Sequence, residues 1–225
     1  MEVVYCGTQG LPGDVVRKSD TGMQLNALIG DLFETVQASE TADTTWFLCM
    51  VQGNYYNRLG MFTASPAFDF CAPYAGGDQL AAEARLVPFQ AVSKALQAQQ
   101  LTSLKAFLSL VRETPFASRF ILTGPPPPRE TDEEPLKHLE AEGDGSLMLS
   151  PASVRRKLWC LQNDLVQCFC AENGLRYLQG DLPGTTTPEG FLKTDYVKDS
   201  VHAIHFHAHL LLDEVANVVR QGGSV

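Results

Sequence analysis

Apolar residues along this chain fall into two rhythms. Short unbroken apolar runs alternate with longer stretches where apolar positions recur every three or four residues, the patterns of buried strands and amphipathic helices. The first run, residues 2–6, reads as a strand and passes into loop chemistry at Gly7-Thr8-Gln9-Gly10-Leu11-Pro12-Gly13. Residues 23–35 carry Leu25, Leu28, Ile29, Leu32 and Phe33 at helical spacing and predict a helix. The run 45–51 has strand length and stops at Gln52-Gly53-Asn54. That turn would lie at a strand's carboxyl end, where open parallel sheets hold their ligands.

Residues 55–78 mix Gly, Pro and aromatic residues and predict an irregular segment, too long for a mere connector and of the kind that often serves as a lid. Helical spacing returns over 80–86 and 89–113, broken at Pro88. The strand 118–123 is closed by Gly124 and four prolines, Pro125 to Pro128, which cannot join a sheet or helix interior. Residues 129–145 are acidic and predict a solvated, mobile surface loop. Ser150-Pro151 reads as an N-cap and first-turn pair for a helix running to about Glu172, with Leu158, Leu161, Leu165, Val166 and Phe169 turned inward. A fourth strand over 175–178, a loop over 180–190 and a last helix over 203–220 complete the chain, which has no internal repeats. Strands alternating with helices predict a single α/β domain over residues 1–225, with a mainly parallel sheet and right-handed crossovers.

Composition narrows the partners. The 225 residues carry a net charge of −9, and the Lys and Arg residues are scattered. No basic face is offered to nucleic acid or to an anionic membrane surface, so neither is expected as a partner. Six cysteines include no C-x-x-C pair and sit mostly in apolar segments, which predicts reduced thiols in a cytoplasmic protein. Met1 leads straight into the first strand without a leader pattern, and no apolar run is long enough to span a bilayer.

Candidate chemistry gathers near the end of the chain. In Phe191-Leu-Lys-Thr-Asp-Tyr-Val-Lys-Asp-Ser-Val-His202, Asp199 and His202 stand three residues apart where a polar loop meets an amphipathic run. A carboxylate beside an imidazole fixes the ring's tautomer and stabilises its protonated form, which a general base needs while it deprotonates a nucleophile. This block, together with Gly53-Asn54 and Gly124-Pro125 at earlier strand ends, resembles the SGNH hydrolase (GDSL esterase/lipase) family over roughly residues 45–215. The resemblance implies a three-layer α/β/α sandwich of flavodoxin-like type and hydrolysis of a small-molecule or carbohydrate acyl ester, without a cofactor or metal. It also implies roles for three residues. Asn54 matches the oxyanion-hole asparagine, Asp199 the orienting carboxylate and His202 the general base. In plainer roles, Asn54 closes a turn, Asp199 caps the last helix and His202 packs against it.

The family's Gly-Asp-Ser nucleophile block is absent. Two alignments stay open. In one, residues 1–6 are the family's first strand and Gly7-Thr8-Gln9 stands in place of the block, so that Gln9 replaces the serine and the protein is a pseudoenzyme. In the other, the first strand and its serine lie upstream, and the domain is missing one N-terminal strand. The oxyanion glycine is equally open among Gly10, Gly13 and Gly30, and Ser19 is the nearest serine with an acidic neighbour.

A competing use of the histidines is metal binding, because His202, His205 and His209 share one helical face while His207 points elsewhere. Three ligands from a single helix rarely converge on one ion, so no metal is expected. The sequence sets no oligomeric state.

Overall fold

In a computed structural model the described residues are 3–6, 15–20, 22–50, 55–74, 79–131, 136–137, 147–197 and 205–222. Strand β1 (Val3–Cys6) comes first, followed by a hairpin of β2 (Val16–Ser19) and β3 (Gly22–Leu25), and then α1 (Ala27–Gln37). Next come β4 (Trp46–Cys49), α2 (Tyr55–Gly60), β5 (Phe62–Ala64), β6 (Phe68–Asp69) and β7 (Arg85–Leu86). A long helical stretch follows as α3 (Phe89–Leu96), a π-helical turn over Gln97–Leu101, and α4 (Thr102–Arg112). The last third holds β8 (Phe120–Thr123), β9 (Leu147–Leu149), α5 (Ala152–Glu172), β10 (Arg176–Leu178) and α6 (His205–Gly222).

Four strands form one parallel sheet in the order β1-β4-β8-β10. These are the four apolar runs read from the sequence. Spatial order follows chain order, so right-handed crossovers place every intervening helix on the same face. The packing agrees. Phe47, Cys49, Phe120 and Leu122 share a buried cluster with Ile29, Phe33 and Val36 of α1, Leu104, Phe107, Leu108 and Val111 of α4, and Val154, Leu158 and Val166 of α5. Phe33 meets Phe47 edge-on, with ring centroids 4.8 Å apart. The alternate strand residues Trp46, Leu48 and Ile121 join Val215, Val218 and Val219 of α6 in a second cluster.

Several expectations need correction. Met23 and Leu25 lie in a hairpin strand rather than a helix. Val15 C=O accepts Asn26 N–H at 2.9 Å, and the Asn26 side chain caps α1 on Leu28 N–H at 3.0 Å, so the helix starts at Ala27. Residues 80–86 are not helical, because Ala81 N–H donates to the Asp69 carboxylate and β7 pairs with β6. Residues 55–78 are not simply irregular: within their described part lie α2, β5 and β6, and β5 pairs with β9. The N-cap of α5 is Pro151 rather than Ser150, and no side chain caps it. Most of the acidic stretch 129–145 lies outside the described residues, but its start is pinned, since the buried Arg155 guanidinium donates to Arg129 C=O at 3.2 Å. Cys49, Cys71, Cys160, Cys168 and Cys170 are free thiols. Among the described residues, no helix is long and apolar enough to cross a membrane.

Candidate functional site

Helix α5 is far longer than the strands it packs on. Asn163 sits beside Gly124, the residue that follows β8, so that a Cβ at Gly124 would collide with the Asn163 and Tyr177 side chains. Residues 152–162 therefore reach past the carboxyl edge of the sheet, by roughly 16 Å at 1.5 Å per residue. This overhang carries polar side chains that are buried and hydrogen-bonded to what surrounds them. Arg155 donates to Ser150 C=O at 2.6 Å, Trp159 Nε1–H to Pro125 C=O at 3.0 Å and Asn163 Nδ2 to Trp159 C=O at 2.8 Å. Tyr177 Oη bonds to Asn163 Oδ1, and Gln162 Oε1 accepts Tyr56 N–H at 2.7 Å.

Lys157 is the centre of the densest of these networks. Its ammonium, 2% exposed, contacts the fully buried Asp69 carboxylate at 2.9 Å and donates to Phe70 C=O at 3.1 Å and Gln79 C=O at 2.6 Å. Asp69 in turn accepts Phe70 N–H and Ala81 N–H, both at 2.7 Å. A buried carboxylate and ammonium persist only when paired and hydrogen-bonded. The pair thus ties both ends of the loop 69–81 to α5.

The loop after β10 is fixed as tightly. A Cβ at Gly180 would strike the Pro125 carbonyl, and Leu192 N–H donates to Pro128 C=O at 2.9 Å. His207 in the first turns of α6 is 5% exposed, and its Nε2 lies 3.1 Å from Gly180 C=O, which selects the Nε2–H tautomer. Burial lowers the His207 pKa, and the hydrogen bond to Gly180 opposes that shift. Burial pushes Cys160 up to about 11 and Cys170 up to about 12, so both stay protonated at neutral pH.

Asn54, Asp199 and His202 lie outside the described residues, as do Gly7, Thr8, Gln9, Gly10 and Gly13. Their chain neighbours are placed. β4 ends at Cys49, and Tyr56, two residues after Asn54, is bonded to the α5 overhang. Val197 ends the segment held against the 124–129 loop through Leu192, and His207 restarts the chain against Gly180. Both described flanks of Asn54 and of the Asp199–His202 stretch thus reach the carboxyl side of the sheet. Gly30 lies in the first turn of α1, its N–H donating to Asn26 C=O at 3.0 Å, and Ser19 Oγ donates to Gly22 C=O in the hairpin turn at 2.9 Å. His209 is exposed, and among the described residues no group of His, Cys, Asp or Glu is placed to hold a metal ion.

Beside the overhang opens a cleft of about 330 Å³, lined by Gln79, Ser153, Arg156, Lys157, Glu189 and Phe191 with Pro188 at its side. No sequence motif marks it. Lys157 looks like an ordinary solvent-facing helix position, and the loop that buries it is 78 residues away or more. The one available signal was the width of the apolar arc on α5, which spans 154, 158, 159, 161 and 166 and exceeds a simple surface stripe.

No family model matches this chain, and no curated protein matches it in sequence. Among solved structures, a GDSL-like lipase from Bacteroides thetaiotaomicron is similar at 11% identity with a TM-score of 0.42, covering 85% of this chain and 83% of that one. A candidate acylhydrolase from Bacteroides fragilis is similar at 11% identity with a TM-score of 0.39, covering 86% and 83%. Scores of this size do not establish a shared fold.

Proposed function

We propose that this chain is an SGNH/GDSL-like ester hydrolase domain, a three-layer α/β/α sandwich whose site lies at the carboxyl edge of the sheet and takes a small acyl ester. The observation that supports it most is the placement of the described flanks of Asn54 and of Asp199–His202 at that same edge. In this reading Asn54 donates to the oxygen of the ester carbonyl as it gains negative charge. One such preplaced donor in a dry site lowers the barrier by about 2.7–4 kcal/mol. His202 takes the proton of a hydroxyl nucleophile and returns it to the leaving alcohol, with Asp199 holding the other ring nitrogen.

A second reading is a pseudoenzyme that binds the ester or a related ligand without turnover. One observation favours it: β1 pairs directly with β4. The flavodoxin-like order places the first strand beside the third, so this pairing fits the alignment in which Gly7-Thr8-Gln9 follows the first strand and Gln9 takes the serine's place. Treatment with a fluorophosphonate probe and an activated acetate ester separates the two readings. Labelling at a serine that disappears in His202→Ala supports the hydrolase. Silence in wild type, together with labelling gained in Gln9→Ser, supports the binder.

A further inference from the structure

Near the start of α5, buried polar atoms lack a hydrogen-bond partner. Ser150, one residue ahead of the Pro151 N-cap, is 0% exposed, and its Oγ bonds to nothing. Arg129 Nη1 is likewise buried and unpartnered, although Nε of the same side chain donates to Thr131 Oγ1 at 3.2 Å. A polar group left unsatisfied in a protein interior costs stability, so its presence points to a partner supplied from outside the chain.

The two residues belong to one place. The Arg155 guanidinium, 2% exposed, donates through Nη1 to Ser150 C=O at 2.6 Å and through Nη2 to Arg129 C=O at 3.2 Å, so one planar group holds both. The first turn of α5 opens beside Ser150. No side chain caps it, and Val154 N–H turns back to Pro151 C=O, which leaves the Ala152 and Ser153 N–H groups without an intrahelical partner. Tyr56 is a buried neighbour on α2. Burial raises the pKa of its phenol, while the Asn57 side chain and the Arg155 charge oppose that rise.

These groups have one chemical sign. Guanidinium nitrogens, the N–H groups at the positive end of a helix and a hydroxyl free to rotate all donate, and the two arginines carry full positive charge. A water accepts few hydrogen bonds and brings no charge. A tetrahedral oxyanion accepts from several directions at once, matches the planar fork of arginine and sits naturally at a helix N-terminus. We propose that the start of α5 binds such an oxyanion, a phosphate, through Ser150 Oγ, Arg129 Nη1 and the Ala152 and Ser153 N–H groups, with Arg155 as the fixed charge beside them. The site is independent of the ester hydrolase reading.

Isothermal titration calorimetry on the full chain at fixed ionic strength tests this, with inorganic phosphate, phenyl phosphate, chloride and acetate as probes. A phosphate should bind one to one and more tightly than chloride or acetate. Its affinity should fall about tenfold or more in Ser150→Ala and in Arg129→Gln, the loss expected for one hydrogen bond to a charged group. Arg112→Gln, at a surface arginine paired with Glu113, should leave it unchanged. Without phosphate, Ser150→Ala should melt no lower than wild type, because an unpartnered buried hydroxyl has been removed, and phosphate should raise its Tm less. Tighter binding of phenyl phosphate assigns the site to a phosphate ester and tighter binding of inorganic phosphate to the free ion, and either supports the proposal. Absence of phosphate binding overturns it, as a buried water or a carboxylate of the chain's own acidic stretch at the site would produce. Chloride or acetate bound as tightly as phosphate, or an unchanged affinity in Ser150→Ala or Arg129→Gln, overturns it as well.

Discussion

The two halves of α5 obey different rules. From Asp164 onward the helix is an ordinary amphipathic one, with Val166 and Cys170 buried and Asp164, Gln167, Cys168 and Glu172 exposed. From Ala152 to Asn163 it buries Arg155, Lys157, Gln162 and Asn163 as well as Val154, Leu158 and Leu161. The second half rests on a sheet, which offers it mainly apolar side chains. The first half has run off the sheet's end, where the surroundings are loop backbone, and loop backbone must be hydrogen-bonded when buried. Polar residues on the overhang meet that demand, and in doing so they set the positions of the loops around the candidate site.

That difference can be broken by substitution. The largest effect is expected for Lys157→Ala, which leaves the Asp69 carboxylate buried and uncompensated. Removing one partner of such a pair costs about 3–5 kcal/mol, to be read as a fall in the urea midpoint. In the apolar half, Val166→Ala removes two buried carbons and should cost about 2 kcal/mol, with no change in the order of the 69–81 loop. Gln162→Ala takes away the acceptor of Tyr56 N–H and should cost about 1–3 kcal/mol. Amide exchange at Tyr56 should rise in that variant more than exchange in β8.

A smaller effect follows from His207. Burial keeps its folded-state pKa below the ordinary value, so the folded chain holds it neutral while the unfolded chain protonates it near pH 6.5. Its contribution is fully present above that pH. As pH falls from about 6.5 through the lower folded-state value, the unfolded chain binds the extra proton and stability drops. Urea midpoints measured at about pH 8 and about pH 5.5 should therefore differ less in His207→Gln than in wild type.

Much of this architecture was legible in the chain. Trp46–Cys49 and Phe120–Thr123, buried at every position, announced themselves as apolar runs, because a strand covered on both faces has few polar positions to spare. The hairpin at Val16–Leu25 was hidden because Leu25 continues the helical spacing of α1 and pattern alone does not show where Asn26 caps it. Residues 80–86 were misread for a physical reason of another kind. Their helical period was overruled by the buried Asp69 carboxylate, a contact formed across the loop. For the site, Asn54, Asp199 and His202 were singled out by their resemblance to the family's blocks and lie outside the described residues, whereas the burial of Lys157, Arg155 and His207 had no counterpart in the sequence pattern. Nothing local distinguishes a lysine that will be buried by a distant loop from one that faces water.

The most direct test of the central claim is the titration of His202 by NMR, with its ring signals assigned by loss in His202→Gln, in wild type and in Asp199→Asn. A carboxylate bonded to the imidazole favours the protonated ring, and removing that charge should lower the His202 pKa by about one unit or more. An unchanged His202 pKa in Asp199→Asn would show that the two side chains do not form a pair, and would contradict an acyl-ester site built on them.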